Sequence, residues 1–236
     1  MWFEIPEEVP DWTPALRHLS KVDPVMKAVV KRVGSCTLAP RGDPFISLCQ
    51  AIFTQQVSTA VATVLFARFR KLFSRSTPTP KGVLRLSDDQ MRLAGLSRQK
   101  MSYLRDMSER FSRGEIAVRD FPTMSEEEIV QALLPIKGVG RWTAEMFLIF
   151  VLNRPDVLPV DDLGVRKGVQ ILYDLPELPS AARVIEVGEK WRPWRTVATW
   201  YLWRGTVADE TAKERVPVPA AATSVKRRAA AQSRSK

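Results

Sequence analysis

The sequence predicts an all-α protein, and three observations carry that reading. Apolar residues recur at i, i+3, i+4 and i+7 along much of the 236 residues, strand-like alternation is scarce, and Pro, Gly and Ser punctuate the periodic stretches. No internal repeat is evident. A chain of this length buries a sizeable core, either as one large domain or as two intimate lobes.

The elements follow in order. Between Pro44 and Phe73 the apolar positions Phe45, Leu48, Ile52, Val57, Val61, Val64, Leu65 and Phe69 keep helical spacing except near Gln55-Gln56, so two helices meet at a bend. Thr77-Pro78-Thr79-Pro80 reads as a linker. Short helices are expected from about Ser87 to Ala94 and from Arg98 to Arg113, ended by Gly95 and Gly114. Ser125 opens another, with Glu128 at the capping-box position and Ile129, Val130, Leu133 and Leu134 as its apolar stripe. A turn containing Gly138-Val139-Gly140 then feeds a helix beginning near Arg141. Further helices are expected after Asp162, over about Ser180 to Trp191, and over Arg195 to Trp203.

The helix-turn-helix around Gly138 carries the first functional signal. Glycine admits φ > 0 and lets an anion approach the main chain without a Cβ in the way, and the helix start beyond it offers unpaired N–H groups and the positive end of a dipole. Alone, Gly-x-Gly before a helix serves equally as a structural turn. The second signal is Pro159-Val160-Asp161-Asp162, twenty residues beyond Trp142. On spacing alone Asp162 reads equally well as a helix N-cap.

Taken together, Leu134 to Ala144, the paired Asp161-Asp162, and Trp191-Arg192-Pro193-Trp194-Arg195 followed by Trp203 resemble the helix-hairpin-helix DNA glycosylases, and among them the AlkA type of 3-methyladenine DNA glycosylase. The resemblance runs from about Pro40 to Gly205. It implies a two-lobed all-α fold with a central DNA-facing cleft: residues 42–152 as the first lobe with the hairpin, 153–209 as the second lobe with the catalytic aspartate, and the segment 1–41 packed with the second lobe. It also implies hydrolysis of the N-glycosidic bond of alkylated purines, such as 3-methyladenine and 7-methylguanine, in double-stranded DNA, the first step of base excision repair.

The resemblance assigns roles residue by residue. Asp162 falls at the catalytic aspartate, with Asp161 beside it. Trp142, Trp203, Met146 and Asp161 fall in the substrate pocket, although Met146 stands where the AlkA pattern offers a tyrosine. Gln56 falls at the wedge that fills the gap left by a flipped nucleotide, where AlkA has leucine; Gln55 and Gln56 also read as solvent-facing caps. Lys137, Gly138, Val139, Gly140, Arg141 and Thr143 are expected at the DNA. The carbonyls of Leu134, Ile136 and Gly138 are expected to hold a monovalent cation, Na+ or K+, with no cofactor required. The alternatives are a bifunctional glycosylase/lyase, whose Schiff-base lysine would stand where this chain has Trp142, and a noncatalytic module that binds damaged DNA.

Composition agrees. The net charge of +10 suits a polyanionic partner, but from Lys213 onward seven Lys or Arg and one acid supply +6 of it, leaving +4 for the remainder. The stretch 210–236, which contains it, reads as a disordered basic tail, either solubilising or a nonspecific DNA tether. Cys36 and Cys49 are too few for an iron–sulfur cluster or a zinc finger, and a single histidine, His18, excludes His-based metal sites and triads. No leader or membrane-spanning run is evident, so a cytoplasmic location is expected; a monomer is expected as well.

Overall fold

The structure is a computed structural model and describes residues 9–213. Among the described residues regular structure is entirely helical: α1 (Thr13–Val22), α2 (Pro24–Val33), α3 (Pro44–Thr54), α4 (Thr59–Arg70), α5 (Pro80–Arg85), α6 (Asp88–Leu93), α7 (Arg98–Arg113), α8 (Glu126–Leu133), α9 (Arg141–Phe150), α10 (Leu163–Leu172), α11 (Ala181–Gly188) and α12 (Arg195–Lys213). Short side chains fix most starts. Asp23, Asp43, Ser58, Ser97, Asp162 and Ser180 each accept a backbone N–H of the helix they precede, satisfying donors that lack an intrahelical partner. The Ser125–Glu128 capping box forms as its spacing requires. Helix α5 lies where only a linker was expected to end, because Pro80 begins it and Thr79 caps it. Helix α12 runs to Lys213, past its expected end at Trp203 and into the stretch expected as a disordered tail. The remainder of the expected tail lies outside the described residues.

The helices pack in two sets. Helices α3, α4, α5, α7, α8 and α9 contact one another, and α1 and α2 pack with α10, α11 and α12. A continuous apolar core runs through both, with Phe53, Leu104 and Phe147 on one side and Leu19, Met26 and Tyr201 on the other. The N-terminal helices are fastened by Asp23, which is fully buried. Besides capping α2, its carboxylate accepts from the Tyr173 hydroxyl, the Trp191 indole at 2.9 Å and the Lys190 ammonium at 3.1 Å. Burying a carboxylate without partners is costly; with three donors Asp23 holds its carboxyl below the usual range despite that burial. Trp191 to Arg195 is thereby structural: Trp194 meets Trp12 edge-on, and Arg192 and Arg195 converge on Asp156.

Burial pushes the Cys36 thiol up to about 11 and that of Cys49 well above its ordinary value, so both are inert core thiols. No described helix is long and apolar enough to cross a membrane.

Candidate active site

Asp162 is the N-cap of α10, and three donors converge on its half-buried carboxylate. Oδ1 accepts the Val165 amide at 2.8 Å and the Trp203 indole N–H at 2.9 Å, while Oδ2 accepts the Trp142 indole N–H at 2.8 Å. The two readings of Asp162, cap and reactive anion, are therefore compatible: one oxygen closes the helix start and the other faces the Trp142 edge. Asp161 is exposed, and its charge acts on Arg141 and Glu145.

Trp142 connects this carboxylate to a cavity of about 470 Å³, which Trp142 lines and Trp203 does not. Trp142, Met146 and Phe150, four residues apart on α9, line it together with Ala51 and Thr54 of α3 and Phe66 of α4. Phe150 in turn stacks on Trp203, with ring centroids 5.7 Å apart and planes at 16°. The tryptophans, both expected in the substrate pocket, use their N–H edges on Asp162. Trp203 already spends one face on Phe150, whereas Trp142 remains half exposed.

The hairpin between α8 and α9 turns at Gly138, whose φ of +82° is in the left-handed region. A Cβ there would lie 2.2 Å from Tyr103 Cδ2, so the residue must lack one both for its backbone and for the ring beside it. Gly140 differs: its φ is −96°, it is the N-cap of α9, and a Cβ there would meet nothing within 4 Å. Of the expected DNA-facing residues, Val139 and Thr143 are instead buried, and the Val139 amide is bonded to the Ile136 carbonyl. Arg141 is not a free cation, since Glu127 grips it through two hydrogen bonds of 2.9 and 2.7 Å and is itself drawn down to about 2 by that guanidinium. The Lys137 ammonium lies 3.9 Å from Asp106, which also accepts the Lys137 amide.

The bend between α3 and α4 touches the hairpin. The Gln55 side-chain amide donates to the Gly138 carbonyl at 2.7 Å, tying the two loops together. Gln56, next to it, is exposed and holds a left-handed φ of +58°, unusual for a residue with a side chain. Of the three carbonyls expected to cradle a monovalent cation, Gly138 is thus engaged by Gln55 and Ile136 by the Val139 amide.

Residues 49–193 match the family described as HhH-GPD superfamily base excision DNA repair protein. The chain belongs to the HhH-GPD superfamily. It is 37% identical over 211 residues to DNA-3-methyladenine glycosylase 1 of Schizosaccharomyces pombe, covering 87% of this chain and 92% of that one. The solved structure of the S. pombe 3-methyladenine DNA glycosylase in complex with abasic DNA superposes with a TM-score of 0.71 at 37% identity, over 81% of this chain and 96% of that one. The structure of a DNA-3-methyladenine glycosidase from Bacillus halodurans gives a TM-score of 0.78 at 32% identity, over 86% and 92% of the two chains.

Sequence reasoning missed several residues of this HhH-GPD site: Gln55 and Tyr103 that brace the hairpin, Gly164 beside Trp203, and Glu145. Glu145 is buried on α9, and that burial, opposed by the charge of Arg141 and assisted by those of Asp161, Glu127 and Asp162, pushes its carboxyl up to about 7. Its apolar neighbours on α9 gave no sign of it beyond a lone acid in a hydrophobic run. Since the folded protein holds this proton well above the pH at which the unfolded chain releases it, Glu145 costs stability progressively as pH rises from about 4.5 to about 7. The Glu145→Gln variant should therefore melt close to wild type near pH 4 and several degrees above it near pH 8, a difference measurable by thermal unfolding at the two pH values. Equal shifts at both would mean that Glu145 is ionised when folded.

Proposed function

We propose that this protein is a monofunctional DNA glycosylase that hydrolyses the N-glycosidic bond of alkylated purines in duplex DNA, starting base excision repair. The observation that carries the reading is the Asp162 carboxylate, fixed by two indoles and an amide beside an aromatic cavity large enough for a purine. The names of the relatives point the same way, as glycosylases of 3-methyladenine.

Reaching the bond requires the nucleotide to leave the stack, at a cost of a few kcal/mol that is smallest at damaged pairs. Exposed Gln56 at the α3–α4 bend would enter the vacated space, while the Gly138–Gly140 turn and the start of α9 would hold a phosphate. Such contacts position the strand without reading its sequence. In the cavity a purine methylated at N3 or N7 is cationic, and a cation over a tryptophan face gains about 0.5–2 kcal/mol depending on desolvation. Trp142 supplies that face. Swinging from Asp162 onto the base would also release Oδ2 toward the sugar, while Trp203, held by Phe150, keeps Oδ1 in place.

As the glycosidic bond breaks, positive charge grows on the deoxyribose. A carboxylate held in a site of low dielectric stabilises it and can orient or deprotonate the attacking water. Because the base already carries a positive charge, it leaves without a partner acid. The steps use only the chain's own residues and water.

The lyase alternative needs a nucleophilic amine at the sugar, and the residue one past Arg141 is an indole bonded to Asp162 instead. Incubation with methylated duplex DNA should therefore release free base and leave the abasic strand unbroken, and borohydride should trap no protein–DNA adduct. Strand cleavage with a trapped adduct would establish the bifunctional enzyme. Tight binding to the lesion with no base released would establish the noncatalytic module.

A further inference from the structure

We propose that Gly164 is a positioning residue: the absence of a β-carbon at this point of α10 is what allows the Trp203 indole to reach Asp162. The inference rests on the assignment of Asp162 as the reacting carboxylate. Gly164 is the second residue of α10, and its backbone does not adopt the left-handed conformation that favours glycine. Nothing local calls for it, since alanine is the better residue inside a helix.

The requirement lies in what surrounds it. A Cβ at Gly164 would lie 2.9 Å from Trp203 Cδ1, 3.0 Å from Trp203 Nε1 and 3.0 Å from Asp162 Oδ1. Two of those three atoms are the donor and acceptor of the 2.9 Å indole–carboxylate hydrogen bond. Neither can withdraw freely. The indole is stacked on Phe150, and Oδ1 is also held by the Val165 amide as the cap of α10. A methyl group there must displace the ring or turn the carboxylate. The next glycine on the same face, Gly168, shows the contrast: a Cβ there would meet Leu202 Cβ at 2.8 Å and the Leu202 carbonyl at 3.1 Å, contacts that concern only how closely α10 and α12 pack. Gly164 instead faces the functional pair.

The test compares single-turnover excision of a methylated purine at saturating enzyme, and equilibrium binding to the same DNA, for wild type, Gly164→Ala, Trp203→Phe and the double variant. The Gly164→Ala change should slow excision by roughly tenfold or more while leaving the dissociation constant within about twofold, because the interaction disturbed belongs to the transition state. Trp203→Phe removes the same hydrogen bond and should show a similar loss. If Gly164 acts through the indole, the double variant should fall within about threefold of Trp203→Phe, the losses failing to multiply. Thermal unfolding should show Gly164→Ala to be folded. Wild-type excision by Gly164→Ala, or multiplied losses in the double variant, would overturn the proposal. Should Gly164→Ala not fold, Trp203→Phe decides: slowed excision with binding retained supports it, and an unchanged rate overturns it. Asp162→Asn separates the two levels, since retained excision there removes the assignment of Asp162, whereas an inactive Asp162→Asn beside a fully active Gly164→Ala removes only the role of Gly164.

Discussion

Asp162→Asn is expected to slow base excision by about 10³-fold or more while lesion-DNA binding changes only several fold. A thousandfold loss corresponds to about 4 kcal/mol of transition-state stabilisation, the scale expected when a preorganised electrostatic partner is removed from a reacting centre. The substitution keeps the shape but removes the charge that opposes the growing positive charge on the sugar. It also breaks the hydrogen-bond set, because Asp162 accepts at both oxygens and an asparagine must turn its NH2 toward one of the donors, Trp142 on one side or Trp203 and Val165 on the other. Asp161→Asn should cost much less, because that carboxylate is exposed and acts only through its charge on Arg141 and Glu145. Single-turnover rates for the two variants check the order. A larger loss at Asp161 would move the reacting group by one residue.

Gly138→Ala is the second large expectation, and it should weaken binding to damaged and undamaged duplex alike by roughly tenfold or more, since phosphate contacts position the strand without reading it. The reason is local. The substituted residue would keep a left-handed backbone, at about 1–2 kcal/mol, and drive a methyl group to 2.2 Å from the Tyr103 ring. That ring is held in turn by Gln99, whose side-chain amide donates to the Tyr103 hydroxyl at 2.7 Å. The turn would deform, and the Gln55 hydrogen bond to the Gly138 carbonyl would deform with it, loosening the bend that carries Gln56. Gly140→Ala serves as the comparison. Its backbone is not left-handed and its surroundings are open, so stability should be retained and any loss of binding would come from blocking the approach of the phosphate. Equilibrium binding and thermal unfolding of both variants make the check. A folded Gly138→Ala with wild-type affinity would remove the hairpin from the DNA interface.

The long helices were legible because their signals are local: apolar spacing along α3, α4 and α7, and caps such as Ser125 with Glu128. Asp162 and the two tryptophans were legible through a motif whose members keep their separation in the chain. The hydrogen bonds among them were not, because Trp142 and Trp203 lie 20 and 41 residues from Asp162 and their orientation depends on how α9, α10 and α12 pack. Gln55 meets Gly138 across 83 residues. For the same reason Arg141 and Lys137, expected at the DNA, carried no sign of their partners Glu127 on α8 and Asp106 on α7. Their pairing makes the hairpin surface less positive than its composition suggests. The Arg141–Glu127 pair is exposed, where an ion pair contributes at most about 1 kcal/mol, and the Lys137 ammonium is itself exposed at 3.9 Å from a mostly buried Asp106, so a phosphate can compete for either cation.

The most direct measurement of the central claim is the identity of the free bases released from duplex DNA that has been methylated and incubated with the full chain. Release of 3-methyladenine and 7-methylguanine, with neutral lesions leaving more slowly and no base lost in the presence of Asp162→Asn, is the predicted result. No free base, or equal release by Asp162→Asn and wild type, would contradict the account.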